Sequence, residues 1–217
     1  MNEKQLKIWL TSYITIGFAF MFIEGFMPFE FDWVIKAIPL FLLMYFCYKS
    51  LTGALRNVML LALVCSVTGD ILLSLNDLFI QGLAAFLLAQ LVYTGIFLSQ
   101  FTFSKSGAAW MGFVIVYLAF ASGFILPKAG DFTLPVLAYM FAIGLMAISA
   151  GFRKDPHFLF VALGAMVFVI SDTTIAINKF VMPVDGARYI IMTTYYGAQL
   201  MICMGMVRHF NLNKLKS

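Results

Sequence analysis

Eight apolar runs, at approximately 8–27, 32–48, 57–75, 79–101, 108–126, 132–150, 157–178 and 187–207, take up most of the chain, with short connections between them. A run of about 20 mostly apolar residues is what a helix needs to cross a bilayer, and in hydrocarbon every backbone N–H and C=O must be satisfied inside the protein. The runs predict an all-α fold, a polytopic membrane bundle of eight transmembrane helices forming a single transmembrane domain over 1–217. Composition agrees, since 63% of the residues are hydrophobic and 11% charged, against roughly 45–50% and 25% in soluble domains. No stretch is long enough for a soluble domain or a nucleic-acid surface, so any chemistry must use the spans and their rims.

The opening M-N-E-K-Q-L-K precedes an apolar run that Glu24 interrupts late, with no A-x-A-like cleavage site after it. That pattern reads as an uncleaved first span rather than a signal peptide. Cys47, Cys65 and Cys203 all lie within spans and form no C-x-x-C, so they read as packing residues, not a disulfide framework or a zinc knuckle. The net charge of +4 is topological. Of 14 basic residues, 10 (Lys4, Lys7, Lys49, Arg56, Lys105, Arg153, Lys154, Arg208, Lys214 and Lys216) fall at span ends that alternate onto one side. Lys128, Lys179 and Arg188 fall on the other, and Lys36 lies within a span. By the positive-inside rule both termini are cytoplasmic, N-in and C-in.

Two acids stand inside spans, Asp70 in L-V-C-S-V-T-G-D-I-L-L-S-L and Asp172 in M-V-F-V-I-S-D-T-T-I-A-I. A carboxyl group in hydrocarbon is costly, and such residues usually face a cavity or a partner and carry function. Asp70 precedes Asn76 by six residues and Asp172 precedes Asn178 by six, which sets each roughly 9 Å below the non-cytoplasmic rim at about 1.5 Å per residue. Lys36 enters from the same rim about one turn down, Tyr195 lies near the acids' depth, and Gln90, Tyr93 and Gln199 lie nearer the midplane. Polar groups from five spans thus converge on one half of the bilayer. For any single Tyr or Gln an isolated interhelical hydrogen bond is the plainer account; for two acids together a shared site is the stronger one.

G-D-I-L-L-S-L-N at 69–76 aligns with S-D-T-T-I-A-I-N at 171–178, Asp and Asn in register, and A-Q-L recurs at 89–91 and 198–200. The correspondence predicts two parallel four-helix halves, 1–105 and 106–210, with the site between them.

The segment S-D-T-T-I-A-I-N-K-F-x7-A-R-Y-I-I-M-T-T-Y-Y-G-A-Q-L, from 171 to 200, resembles the signature of the YhhN-like lysoplasmalogenase family, multi-pass proteins that cleave the vinyl ether of lysoplasmalogens. G-D-I-L-L, F-L-L-A-Q-L-V-Y and Lys36 are similar to that family's other marked segments, in the same order from Lys36 to Gln199. The resemblance implies Asp70 and Asp172 as the catalytic acids. It further implies Tyr195, Tyr196 and Gln199 as a last-helix cluster. Lys36, Gln90, Tyr93 and Asn178 complete the expected substrate-binding set. Gln90 stands where many relatives have His, and the proline that often directly follows the lysine is displaced here to Pro39. Lys36 has two readings, as a partner for the substrate phosphate or as a side chain snorkelling to the rim.

Vinyl ether hydrolysis starts with proton delivery to an alkene carbon, giving an oxocarbenium ion; water adds, and the hemiacetal collapses to a fatty aldehyde and a glycerophospho-headgroup. It calls for a protonated acid and a negative group beside the cation, roles that two buried carboxyls can divide, as they do in glycosidases. Which aspartate takes which role stays open at this point. His157 and His209 lie at the cytoplasmic edge, leaving no ligands for a His-rich zinc site and no base for Ser66, Ser74 or Ser171. No metal or other cofactor is expected, although two carboxylates alone could hold an ion. The expected partners are a lysophospholipid and membrane lipids, in a bacterial inner membrane or a eukaryotic endomembrane, with the oligomeric state unread. The rival reading is a proton-coupled transporter of a small or lipidic solute, which paired intramembrane acids and repeated halves would also suit.

Overall fold

The computed structural model describes residues 3–24, 32–75, 77–154 and 158–214; Asn76, His157 and Lys216, named above, lie outside them. The described residues form eight long helices and no strand: α1 (Glu3–Glu24), α2 (Asp32–Ser50), α3 (Gly53–Ser74), α4 (Phe79–Leu98), α5 (Lys105–Ile125), α6 (Thr133–Gly151), α7 (Phe158–Ala176) and α8 (Ala187–Lys214). Seven of them, α2 to α8, are long and apolar enough to cross a membrane. The expected first span appears as a helix that starts earlier, at Glu3, and the run's last residues, 25–27, fall outside the described ones.

Local sequence accounts for the joints. Only two residues separate α2 from α3, and Gly53 takes a φ of 63° there, a left-handed conformation that a Cβ would strain. Ser104 starts α5 by accepting a hydrogen bond from the Gly107 N–H at 3.0 Å, filling one of the donors that a helix N-terminus leaves open. At the end of α7 the chain widens into a π turn, Ile177–Val181, closed by the Met182 N–H on the Ile177 carbonyl at 3.0 Å. Two interhelical connections are laced together at the opposite end of the bundle. The Lys154 N–H donates to the Gln100 carbonyl at 2.8 Å, and the Arg153 guanidinium donates twice to Gln100 Oε1, from Nη2 at 2.9 Å and Nε at 3.1 Å.

Sequence neighbours pack as α1 on α2, α2 on α3 and α3 on α4, then α5 on α6, α6 on α7 and α7 on α8. The two series join where α4 lies against α6 and α2 against α8. Polar side chains fasten α1: the Trp9 indole donates to the Leu42 carbonyl at 3.1 Å, and the Tyr13 hydroxyl to the Tyr196 carbonyl at 2.9 Å. This arrangement brings the rim-side halves of α3, α7 and α8 around a common interior space, with α4 and α6 behind it.

Candidate active site

Asp70 on α3 and Asp172 on α7 are both half-buried and line one chamber of about 170 Å³. Lys36 and Ser74 stand on its rim side, and Leu73, Phe86 and Tyr195 wall it. Each carboxyl is held by one tyrosine. The Tyr195 hydroxyl donates to Asp70 Oδ2 at 2.8 Å, and the Tyr139 hydroxyl makes a short hydrogen bond to Asp172 Oδ2. Because Tyr139 also accepts from Gln90 Nε2 at 3.3 Å, its own proton is directed at the aspartate. With Oδ2 occupied in both acids, Oδ1 is the oxygen left to work with.

Among the described residues Lys36 is the one cation lining the chamber. Its ammonium donates to Ser74 Oγ at 3.0 Å, and Ser74 in turn donates to the Asp70 backbone carbonyl at 2.9 Å, so ammonium and acid lie on the same side of the chamber. Tyr196 does not reach the chamber; its hydroxyl donates to the Lys36 carbonyl at 2.9 Å and so ties α8 to the first turns of α2. Tyr93 and Gln199 form a separate buried chain, Tyr93 donating to Gln199 Oε1 at 2.7 Å and Gln199 Nε2 to Ser66 Oγ at 3.1 Å. Gln90 is fully buried, and its Oε1 has no hydrogen-bond partner among the described residues. Asn178 is exposed on the π turn, where its carboxamide oxygen accepts from the Val184 N–H at 3.0 Å.

Of the residues expected from the sequence, the fold brings Asp70, Asp172, Lys36 and Tyr195 to one chamber. Gln90 joins them at one remove, through Tyr139. Tyr196, Tyr93, Gln199 and Asn178 hold helices and a loop instead. Nothing in its residue type singles out Tyr139, one aromatic residue among many in an apolar run. Its depth carried the missing signal: it lies six residues into α6 from the rim end, or roughly 9 Å, the depth of the two acids.

A second, apolar cavity abuts the first. Leu73, Phe86, Asp172 and Ile175 line both, whereas Asp70 lines only the polar one. Gly69 lets this wall form, because a Cβ there would run into the Phe86 ring, which sits edge-on to Tyr195 at 5.9 Å and to Phe168 at 6.4 Å. Among the described residues no three His, Cys, Asp or Glu side chains gather in a group able to hold a metal ion. His209 lies 14 residues along α8 from Tyr195, about 21 Å.

Two carboxyl groups opening on one chamber inside an apolar helical bundle define a multi-pass membrane protein with an intramembrane polar site. The chain belongs to the YhhN family, whose model matches residues 31–206. It is similar to lysoplasmalogenase TMEM86B of Homo sapiens, 32% identical over 180 residues, 81% of this chain and 75% of that protein. It also resembles lysoplasmalogenase TMEM86A of Bos taurus, 30% identical over 196 residues, 81% of this chain and 79% of the relative. A lysoplasmalogenase of Mycobacterium tuberculosis (strain CDC 1551 / Oshkosh) is 29% identical over 161 residues, 70% of this chain and 61% of its own. No solved structure matches the chain.

Proposed function

We propose that this protein is an integral membrane lysoplasmalogenase, hydrolysing the vinyl ether of lysoplasmalogens to a fatty aldehyde and a glycerophospho-headgroup with Asp70 and Asp172 as its catalytic acids. The observation that carries the reading is the shared chamber: both carboxyls can touch one bound molecule. Family membership and the names of the relatives support it.

Charge balance divides the roles. Burying a charge in low dielectric is costly unless it is paired, and among the described residues the chamber sets one ammonium against two carboxyls. Lys36, placed on the Asp70 side by its hydrogen bond to Ser74, offsets the charge of an ionised Asp70 without touching it directly, and Asp172 keeps the proton. Asp172 then protonates the alkene carbon remote from the ether oxygen. Asp70 stabilises the oxocarbenium ion and accepts a proton from the water that attacks it. The resulting hemiacetal loses the glycerol oxygen as a free hydroxyl and leaves the aldehyde. At the rim, Lys36 is also the group that an entering phosphate would meet.

The basic residues at the Arg153 end make that end cytoplasmic, so the chamber opens from the opposite leaflet. The paired packing of α1–α4 and α5–α8 supports two pseudo-repeats, 1–105 and 106–210, within one domain. Purified protein supplied with lysoplasmalogen in detergent should release free aldehyde. Protein that releases none, yet carries solute flux in liposomes, would make it the transporter instead.

A further inference from the structure

The apolar cavity beside the acids runs between α3, α4, α5, α6 and α7. Its rim end is stoppered. Phe79, Phe132 and Phe180 meet ring to ring at centroid distances of 5.5, 5.7 and 5.8 Å, and the Lys179 ammonium lies 4.2 Å over the Phe79 ring, a cation–π contact that closes the cluster toward the water side. From there the cavity passes Asp172 and Tyr139 and continues inward to Met140, Ile143 and Leu118. Ile143 is ten residues into α6 from Thr133, or roughly 15 Å, about 6 Å deeper than the carboxyls. Among the described residues the only ionisable side chains on its wall are Asp172 and Tyr139, which are bonded to each other.

We propose that this slot is the binding site for the hydrocarbon chain of the ether lipid, entered past Asp172, with Met140 on its wall and Ile143 and Leu118 at its inner end setting which chains fit. The proposal rests on the hydrolase reading and deepens it. A lysoplasmalogen is polar at one end and aliphatic at the other, with the vinyl ether at the junction, and Asp172 stands at the one wall where a polar chamber and an apolar slot meet. Headgroup toward Lys36, reacting bond at the acids and chain toward the midplane is also the order in which such a lipid lies in a leaflet. The alkene carbon that takes the proton is the one bearing the chain, so a chain in the slot draws that carbon toward Asp172, the acid that lines both cavities. The stoppered rim end leaves inward as the direction for the chain.

Two measurements test this. In the first, Met140→Trp blocks the slot just inward of the acids, and turnover is compared between a long-chain lysoplasmalogen and a short-chain vinyl ether of the same headgroup. The ratio of kcat/KM, long to short, should fall by about tenfold or more, the scale on which an apolar pocket discriminates chain volume. A ratio equal to that of the unsubstituted protein overturns the proposal. In the second, which needs no turnover, a non-hydrolysable 1-O-alkyl lysophospholipid carrying a photoreactive diazirine in its chain is crosslinked to the unsubstituted protein. Adducts on Leu83, Met140 or Ile143 support the slot, and adducts confined to other faces of the bundle overturn it. Slot adducts without aldehyde release from any vinyl ether would retire the hydrolase reading and keep a chain-binding site. Aldehyde release with adducts elsewhere would do the reverse.

Discussion

Tyr195 Oη lies 2.8 Å from Asp70 Oδ2 across 125 residues of chain, so the last helix reaches over the chamber to grip the acid on the third. Tyr139 grips Asp172 in the same manner from α6. Two carboxyls, each fixed at one oxygen by a phenol from a different helix, are aimed rather than merely buried.

From this follows the most direct prediction. Asp70→Asn and Asp172→Asn keep the volume of each side chain and remove its ability to ionise or to give up an acidic proton. A positioned acid or base contributes about 10²–10⁴-fold to a rate, so aldehyde release should fall by at least about 10²-fold in each variant, with the protein still monodisperse in detergent. Full turnover in either would remove that residue from the mechanism.

Removing the grip without the ring isolates positioning. Tyr195→Phe preserves the edge contact on Phe168 at 5.4 Å and on Phe86 at 5.9 Å and deletes one hydroxyl. A hydrogen bond to a charged group is worth about 1.5–3 kcal/mol, so kcat should drop by roughly 10- to 100-fold on the same scale. KM should move little if the headgroup sits at Lys36 and the chain in the apolar slot, as proposed. A matching rise in KM with kcat retained would mean that Tyr195 holds substrate instead.

The second polar chain should behave differently. Tyr93→Phe leaves Gln199 Oε1 without its 2.7 Å donor in a site where both residues are fully buried. An acceptor stranded that way costs about 1–3 kcal/mol, and the loss should appear as a lower unfolding temperature in detergent. Activity per folded molecule should fall far less than in Tyr195→Phe. The contrast separates residues that frame the bundle from those that act in the chamber, a distinction that residue type and depth alone did not make.

How much of this was visible in the sequence depends on what kind of pattern carried it. The helices follow from apolar runs of membrane length, which is why α2 to α8 arise near their expected places. Asp70 and Asp172 stood out because a carboxyl in hydrocarbon is conspicuous whatever surrounds it. Tyr139 did not, since a tyrosine in an apolar span is ordinary until a neighbour gives its hydroxyl something to hold. The apolar slot has no sequence signature at all. Its wall is assembled from Leu73, Phe86, Leu118, Met140 and Val169, five residues from five helices that any bundle core could contain. Nor does composition announce that α7 ends in a π turn, where Asn178 caps the following loop instead of facing the chamber.

Gly69 offers the sharpest test of how the two cavities are divided. It directly precedes Asp70, and the face of α3 it leaves bare is filled by the Phe86 ring, which lines both the polar chamber and the slot. Gly69→Ala would force that ring toward Tyr195 or into the slot, an overpacking that typically costs about 1–3 kcal/mol. Gly95, on α4, has nothing within 4 Å of where a Cβ would stand, so Gly95→Ala serves as the control with stability unchanged. In Gly69→Ala the unfolding temperature should drop, and turnover of folded protein should fall with it, because the displaced ring presses on the tyrosine that fixes Asp70. Adding Phe86→Leu to Gly69→Ala makes room for the new methyl group and should restore part of the lost stability. If the double variant is no more stable than Gly69→Ala alone, the methyl group is clashing with something other than Phe86, and the wall between chamber and slot is not built as described.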